Sequence, residues 1–160
     1  MDINLYSSFA HKKWVIETTF PDWEDTFKYW DEATDHVDVD NTASNVATQS
    51  YFKEDEGLEL TDKIRDYAND VLRATGAAFQ LGERTLAWNI AYDVGGWQAL
   101  HKHGPSGEEA SVVLCLEGAG DESGQFHFLL PEPDGSMAVA FAEQKPGTFL
   151  VIESDTCHGA

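Results

Sequence analysis

The chain has 160 residues, 42% of them hydrophobic and 12% aromatic, which excludes a disordered tail and predicts one packed domain over residues 1–160. Its 29 acidic residues against 10 basic ones give a formal net charge of −19. That charge makes nucleic acids and anionic membranes unfavourable partners, and it is typical of a solubilising or salt-adapted surface. A basic partner is the alternative that the charge leaves open.

Membrane and export signals are missing from the sequence. No apolar run approaches the roughly 20 residues that span a bilayer. The start, MDINLYSSFAHKKW, lacks the basic region and apolar core of a signal peptide. We therefore expect a cytoplasmic protein, in the host cell if the gene is viral, without a membrane partner.

The first half, residues 1–84, reads as a helical and irregular support. Lys13–Phe20 is β-branched and aromatic and predicts a short strand. Pro21 then starts a helical pattern over Asp22–Ala33. The polar segment Asp35–Ser50 predicts a loop. A lid over a substrate and a plain surface loop are both open interpretations of it.

The clearest helix is predicted at Thr61–Thr75. Thr61 or Asp62 can cap its start, and Gly76 suits a left-handed stop at its end. One apolar stripe follows the helical period: Leu60, Ile64, Tyr67, Ala68, Val71 and Leu72. We expect this stripe to pack across one face of a sheet.

From Thr85 onward the hydrophobic period changes to two, and turns rich in Gly and Pro separate the apolar runs. This pattern predicts a mainly β fold, a cupin-like jelly roll over residues 85–160. The predicted strands are Thr85–Asp93, Trp97–His103, Ser111–Glu117, Gln125–Leu130, Met137–Phe141 and Thr148–Ser154.

Three histidines form the predicted site. His101 and His103 are two residues apart on an extended segment, so their side chains point to one face. His158 follows the apolar run Phe149–Ile152, which could deliver a third ligand from a distant strand. Three imidazoles hold a first-row metal and leave coordination positions open, whereas a structural zinc site normally takes four ligands. The pattern therefore favours catalysis.

Other candidates near this site are weaker. His127 alternates with Phe126 and Phe128, so it faces away from both and is a candidate contact for a cofactor or substrate inside the barrel. Cys157 adjoins His158, but a ligand role is the less favoured interpretation because thiolates suit other metal chemistry. Cys115 lies in an apolar run and predicts a buried side chain.

The second half also resembles a known family. The segments are WNIAYDVGGWQALHKHGPSGEEASVVLCLEG, SGQFHFLLP and QKPGTFLVIESDTCHG. They resemble the iron(II)- and 2-oxoglutarate-dependent oxygenases, in particular the prolyl-hydroxylase-like oxygenases of phage and bacterial genomes. The resemblance covers roughly Thr85 to the end, about half of the chain. Each element alone is weak, whereas their order and spacing together are fairly specific.

The resemblance implies a double-stranded β-helix that holds Fe(II), with 2-oxoglutarate chelating the metal. Such an enzyme hydroxylates a C–H bond, for example of a prolyl or other amino-acid side chain, and releases succinate and CO2. By position His101 matches the first iron ligand and His158 the distal one. Tyr92 matches a tyrosine that reaches the cosubstrate carboxylate, although a half-buried strand aromatic is an equal interpretation. The substrate, a small molecule or a peptide, is not identified.

Two departures from the family pattern matter. His103 stands where much of the family has Asp or Glu, and a third imidazole leaves the site more positive. His-x-His occurs in the phage-like group, so His103 stays the expected ligand, with Glu108 or Glu109 as an alternative. The family also has an Arg or Lys beyond the distal histidine, for the far carboxylate of 2-oxoglutarate. Only Gly159 and Ala160 follow here, so we expect that the last strands are missing from a truncated sequence.

Two other classes of protein compete with this hypothesis. One is a non-catalytic jelly-roll binding or structural protein that keeps the histidines for a structural metal or for none. The other is a cupin-type dioxygenase with three histidines that needs no 2-oxoglutarate. The latter fits the ligand set and the missing basic residue, but not the wider resemblance around Trp88–Gly96 and Pro146-Gly147.

Overall fold

A computed structural model describes residues 2–26, 44–45, 48–51, 58–83, 88–92, 94–104, 110–117 and 124–160. Within these ranges the fold is mainly β, and the strands pair antiparallel. There is one long helix, α1 (Leu58–Ala74), and a helical turn at residues 23–26. The strands are β1 Asn4–Tyr6, β2 Val15–Thr19, β3 Ser44–Asn45, β4 Thr48–Tyr51, β5 Trp88–Ala91, β6 Trp97–Gln98, β7 Ala110–Leu114, β8 Gln125–Pro131, β9 Met137–Glu143, β10 Thr148–Glu153 and β11 His158–Gly159.

The larger sheet has the strand order β1-β2-β10-β7. Its interior strand β10 is buried at every position, as expected for a continuous apolar run covered on both faces. Val151 lies opposite Ile16 on one side and Val112 on the other, so β-branched side chains meet across the strands. This register fixes the position at which β10 ends, and therefore where the chain turns toward His158.

Helix α1 covers one face of this sheet. Its residues Ala68, Val71 and Leu72 are fully buried and belong to the same core cluster as Phe149 and Val151. Burial of a side chain of the size of Phe149 stabilises the fold by about 1.5–3 kcal/mol. The apolar stripe of the helix therefore attaches it to the sheet.

The smaller sheet packs on the other face and has the order β11-β8-β9. Phe128, from β8, shares a second core cluster with Leu150 and Ile152, from β10. The two sheets thus lie face to face, in the manner of a β-sandwich. Two further pairs of strands, β3 with β6 and β4 with β5, complete the described pairings.

The structure confirms most of the predicted elements. The predicted helix Thr61–Thr75 is present as α1, which begins three residues earlier. Gly76 has a φ of +82°, and the amides of Gly76 and Ala77 bond to the carbonyls of Arg73 and Leu72, which is the left-handed stop expected at this position. Each of the seven predicted strand segments overlaps a strand, and these strands are β2 and β5 to β10. In the predicted strand Trp97–His103 only Trp97–Gln98 is a strand.

Other expectations need correction. Residues 1–84 are predicted to be a helical and irregular support, yet they supply β1 and the interior strand β2 to the larger sheet, because the apolar residues of β2 pair with β10. The predicted loop Asp35–Ser50 contains β3 and the start of β4, which are too short and polar to show a period of two. The predicted helix Asp22–Ala33 is helical at 23–26, and its remainder lies outside the described residues.

In the part of the chain that the structure describes, no helix combines the length and the apolar character that a bilayer span requires.

Candidate metal centre

Backbone pairing brings His101 and His158 together. The amide of His101 donates to the carbonyl of His158 at 2.9 Å, and the amide of His158 donates to the carbonyl of His101 at 3.0 Å. Residues that exchange both hydrogen bonds lie directly opposite each other, and their side chains share one face. The two imidazole ring centres are accordingly 4.5 Å apart.

His103 completes the group from the same segment as His101. Its ring centre is 5.0 Å from that of His101 and 5.1 Å from that of His158. One ring nitrogen from each residue can be chosen so that all three lie within 4.8 Å of one another. The structure therefore brings together the three histidines predicted from the sequence, across a separation of more than fifty residues.

A β-bulge sets the direction of the two-histidine segment. Gln98 and Ala160 also exchange two backbone hydrogen bonds, at 2.7 and 3.2 Å. Along the chain His101 is three residues after Gln98, whereas Ala160 is only two residues after His158. The extra residue bulges out of the ladder, and bulges of this kind redirect side chains beside functional sites. The bulge lets Gln98 and His101 present side chains to the same face as His158.

Hydrogen bonds to carbonyls determine which ring nitrogens are available. Nδ1 of His101 lies 2.8 Å from the carbonyl oxygen of Ala99, and Nδ1 of His158 lies 2.9 Å from that of Thr156. A carbonyl oxygen only accepts, so Nδ1 carries the proton in both rings. Nε2 of each ring then keeps its lone pair, which is how a carbonyl partner prepares a histidine for metal binding.

Burial keeps His158 neutral. His158 is 7% exposed, and its side chain lies on the same face of the sheet as that of the fully buried Phe128, its partner on β8. The pKa of His158 is lowered to about 4, mainly by burial and also by the neighbouring histidines, and these effects outweigh the hydrogen bond to Thr156, which raises it. A metal ion therefore does not have to displace a proton from this ring near neutral pH.

The donor set suits a first-row transition metal. Imidazole nitrogens bind zinc, copper, iron and nickel, at about 2.0–2.1 Å in zinc sites. The ligand atoms would have to close from within 4.8 Å to about 3.0–3.4 Å of one another, a movement that side-chain rotations can supply. Among the described residues this group holds three donors, so coordination positions would stay open for exogenous ligands.

Tyr92 lies beside this face. Its hydroxyl donates to Oε1 of Gln98 at 3.3 Å, and Gln98 is opposite Ala160, two residues along from His158. Burial raises the pKa of Tyr92 to about 12, so the phenol stays protonated and can donate a hydrogen bond. A contact between Tyr92 and a cosubstrate stays a prediction.

His127 is close to the group but outside it. It pairs with Gly159, next to the pair of Phe128 and His158 in the ladder, so it occupies the opposite face of the sheet. A Cβ atom on Gly159 would lie 2.9 Å from Nε2 of His127, which shows that the ring rests on the glycine. This placement points the imidazole away from the three histidines. It therefore gives no support to the predicted contact between His127 and a cofactor.

The remaining ligand candidates do not join the three histidines in the described structure. Cys157 is half-buried and contributes no atom to the group. Cys115 is half-buried rather than fully buried, and burial raises the pKa of its thiol to about 11. Glu108 and Glu109 lie outside the described residues.

Sequence reasoning missed the residues that hold the ligands in place. Gln98 and Gly159 act through backbone geometry, and no pattern of residue types marks a bulge. Asp155 was also missed, although the local motif Glu153-Ser154-Asp155-Thr156 carries turn-forming residues. Hydrogen bonds from Lys102 and then from Lys13 lower the pKa of Asp155 to about 2, so its carboxylate is charged at neutral pH.

Comparison with family models, with curated proteins and with solved structures finds no significant match to this chain. The resemblance to the 2-oxoglutarate oxygenases therefore depends on the quoted segments alone.

Proposed function

We propose that the protein is a non-haem iron oxygenase in which His101, His103 and His158 bind one Fe(II) ion. In this proposal 2-oxoglutarate is the cosubstrate, and the reaction hydroxylates a C–H bond of a small molecule or a peptide. The observation that carries the proposal is the convergence of three imidazoles. In His101 and His158 a hydrogen bond to a backbone carbonyl keeps the proton on Nδ1. A set of three ligands on one side of the metal suits an oxygenase site, because it leaves coordination positions open on the other side.

We also propose that the fold is a double-stranded β-helix. Two antiparallel sheets packed face to face are compatible with that architecture. His158 shares its sheet face with Phe128, which is buried between the two sheets, so the proposed metal lies on the inner side. His158 is buried there, whereas His101 and His103 are half-exposed, so the proposed site is open to ligands from solvent.

The roles of the protein groups follow from their surroundings. The three imidazoles bind and orient the ion, which when bound supplies the capacity to activate O2. In this proposal the neutral phenol of Tyr92 and the amide of Gln98, which are hydrogen-bonded to each other, orient an oxygen-bearing ligand beside the metal. The net charge of −19 favours neutral or cationic substrates over polyanions such as nucleic acids.

A second candidate is a three-histidine dioxygenase that uses no 2-oxoglutarate. The distal carboxylate of 2-oxoglutarate needs a cation. Lys102, the cation between His101 and His103 in the chain, is already paired with Asp155 at 2.6 Å. This pairing favours a site in which substrate alone fills the open positions.

An anaerobic titration distinguishes the two candidates. Fe(II) is added to the metal-free protein, then 2-oxoglutarate, while the visible spectrum is recorded. We expect a charge-transfer band in the parent protein and none in His101→Ala, because chelation requires iron on the three histidines. Iron binding without the band would support the second candidate. Absence of iron binding would contradict both.

A further inference from the structure

The turn Glu153–Thr156, which joins β10 to β11, supports the ligands from both sides. The carbonyl of Ser154 accepts a hydrogen bond from the amide of His103 at 3.0 Å. The carbonyl of Thr156 accepts from Nδ1 of His158 at 2.9 Å. One short turn therefore contacts the segment that carries His101 and His103 and the ring of His158.

The turn is itself fixed by buried polar contacts. The amide of Thr156 donates to the carbonyl of Glu153 at 2.9 Å, and the Glu153 carboxylate accepts from the amide of Asp155 at 3.0 Å. The hydroxyl of Thr156, in a fully buried residue, accepts from the amide of Trp14 at 3.1 Å. Buried and mutually bonded groups of this kind hold one conformation, since an unpaired member would be costly.

Asp155 connects this turn to the two-histidine segment. Its Oδ1 lies 2.6 Å from Nζ of Lys102, the residue between His101 and His103. Its Oδ2 lies 2.8 Å from Nζ of Lys13, which also donates to the Asp155 carbonyl at 3.0 Å. Exposed ion pairs contribute little, but a carboxylate that is 22% exposed and shared by two ammonium groups forms a network.

We propose that Asp155 is a positioning residue for the metal centre. By holding Lys102 it fixes the backbone of His101 and His103 at the separation from His158 that one ion requires. The proposal rests on the proposed function where it concerns metal affinity, and on this chain's own contacts where it concerns the position of the segment. Lys13, two residues before β2, holds the same carboxylate through its other oxygen.

Four substitutions separate positioning from charge and from general stability. They are Asp155→Asn, Lys102→Met, Lys102→Arg and Lys13→Met, and affinity for Co(II) is measured by competition with a chromophoric chelator. We expect Asp155→Asn and Lys102→Met each to weaken Co(II) binding about 10-fold, the lower end of what groups behind metal ligands contribute. Lys102→Arg should stay within about 3-fold of the parent, because it keeps the ion pair. Lys13→Met should stay within about 3-fold of the parent, because Lys102 still holds the Asp155 carboxylate.

The sign of the Lys102→Met effect is decisive. Removing a cation near the metal would strengthen Co(II) binding if long-range charge alone mattered. Loss of positioning instead weakens it, and the cobalt absorption spectrum should change with it, because the ligand geometry changes. Stronger binding by Lys102→Met, or equal weakening by Lys13→Met, would overturn the proposal.

Amide hydrogen exchange of the metal-free protein provides an independent test. We expect Asp155→Asn to accelerate exchange at the His103 amide, which bonds to Ser154, by about 10-fold or more, and Lys13→Met to accelerate it less, within about 3-fold, because Lys102 still holds the carboxylate. Unchanged exchange in Asp155→Asn would overturn the proposal. Failure of the parent to bind any metal would contradict the proposed function, and the exchange comparison would still decide whether Asp155 positions the segment.

Discussion

Replacing His158 with alanine is expected to weaken binding of Fe(II) or Co(II) by more than about 100-fold, beyond the range that groups behind metal ligands contribute. The buried imidazole is neutral at physiological pH, its Nδ1 is engaged by Thr156, and its Nε2 keeps a lone pair for a metal. Removal leaves only two of the three proposed ligands, His101 and His103, which bind an ion more weakly. Isothermal titration with Co(II) measures the change.

His127→Ala is the matched control for this prediction. His127 lies on the neighbouring strand, one residue from the partner of His158, but on the opposite face of the sheet. We expect its removal to leave Co(II) affinity within about 3-fold of the parent, because effects on that side reach the metal only indirectly. Equal losses in His158→Ala and His127→Ala would contradict the assignment of ligands.

Replacing Gly159 with alanine is expected to lower the free energy of unfolding by about 1–3 kcal/mol and to weaken Co(II) binding about 10-fold or more. A Cβ atom at this position would lie 2.7 Å from the carbonyl oxygen of Gln98 and 2.9 Å from Nε2 of His127. The backbone oxygen cannot move aside without breaking the pairing of Gln98 with Ala160. Strand β11 would have to shift, and His158 would shift with it.

Gly124→Ala is the control for Gly159→Ala. A Cβ atom there would meet Oε1 of Gln144 at 2.9 Å, and the end of a flexible side chain can rotate away. We expect little change in stability and none in metal affinity, as measured by urea unfolding and cobalt titration. A Gly159→Ala protein that binds Co(II) as tightly as the parent would show that the position of β11 does not control the site.

The sequence predicted the ligands because local rules determine their spacing. His101 and His103 share a face in any extended segment, and an apolar run such as Phe149–Ile152 predicts a buried strand that ends shortly before His158. The stripe on α1 and the stop at Gly76 were equally readable, since each depends on residues near each other in the chain. The structure confirms these local features, and predicting them required no knowledge of which distant segments pair.

The support of the site could not be predicted, because it depends on register between distant segments. The bulge between Gln98 and His101 is defined only once β11 lies beside it. Asp155 and Lys13 are 142 residues apart in the chain, and the sequence around one residue does not indicate that the other is its partner. The placement of His127 on the outer face likewise required its register with Gly159. Alternation had shown that it faces away from Phe128, but not which face is buried.

The most direct test of the account is X-ray absorption spectroscopy of the protein loaded anaerobically with Fe(II). It counts the imidazole ligands and distinguishes nitrogen or oxygen from sulfur donors. We predict one iron per chain with three imidazole ligands and no sulfur, and two imidazoles in His103→Ala. An iron with two imidazoles and a carboxylate in the parent, or with a thiolate from Cys157, would contradict the three-histidine centre.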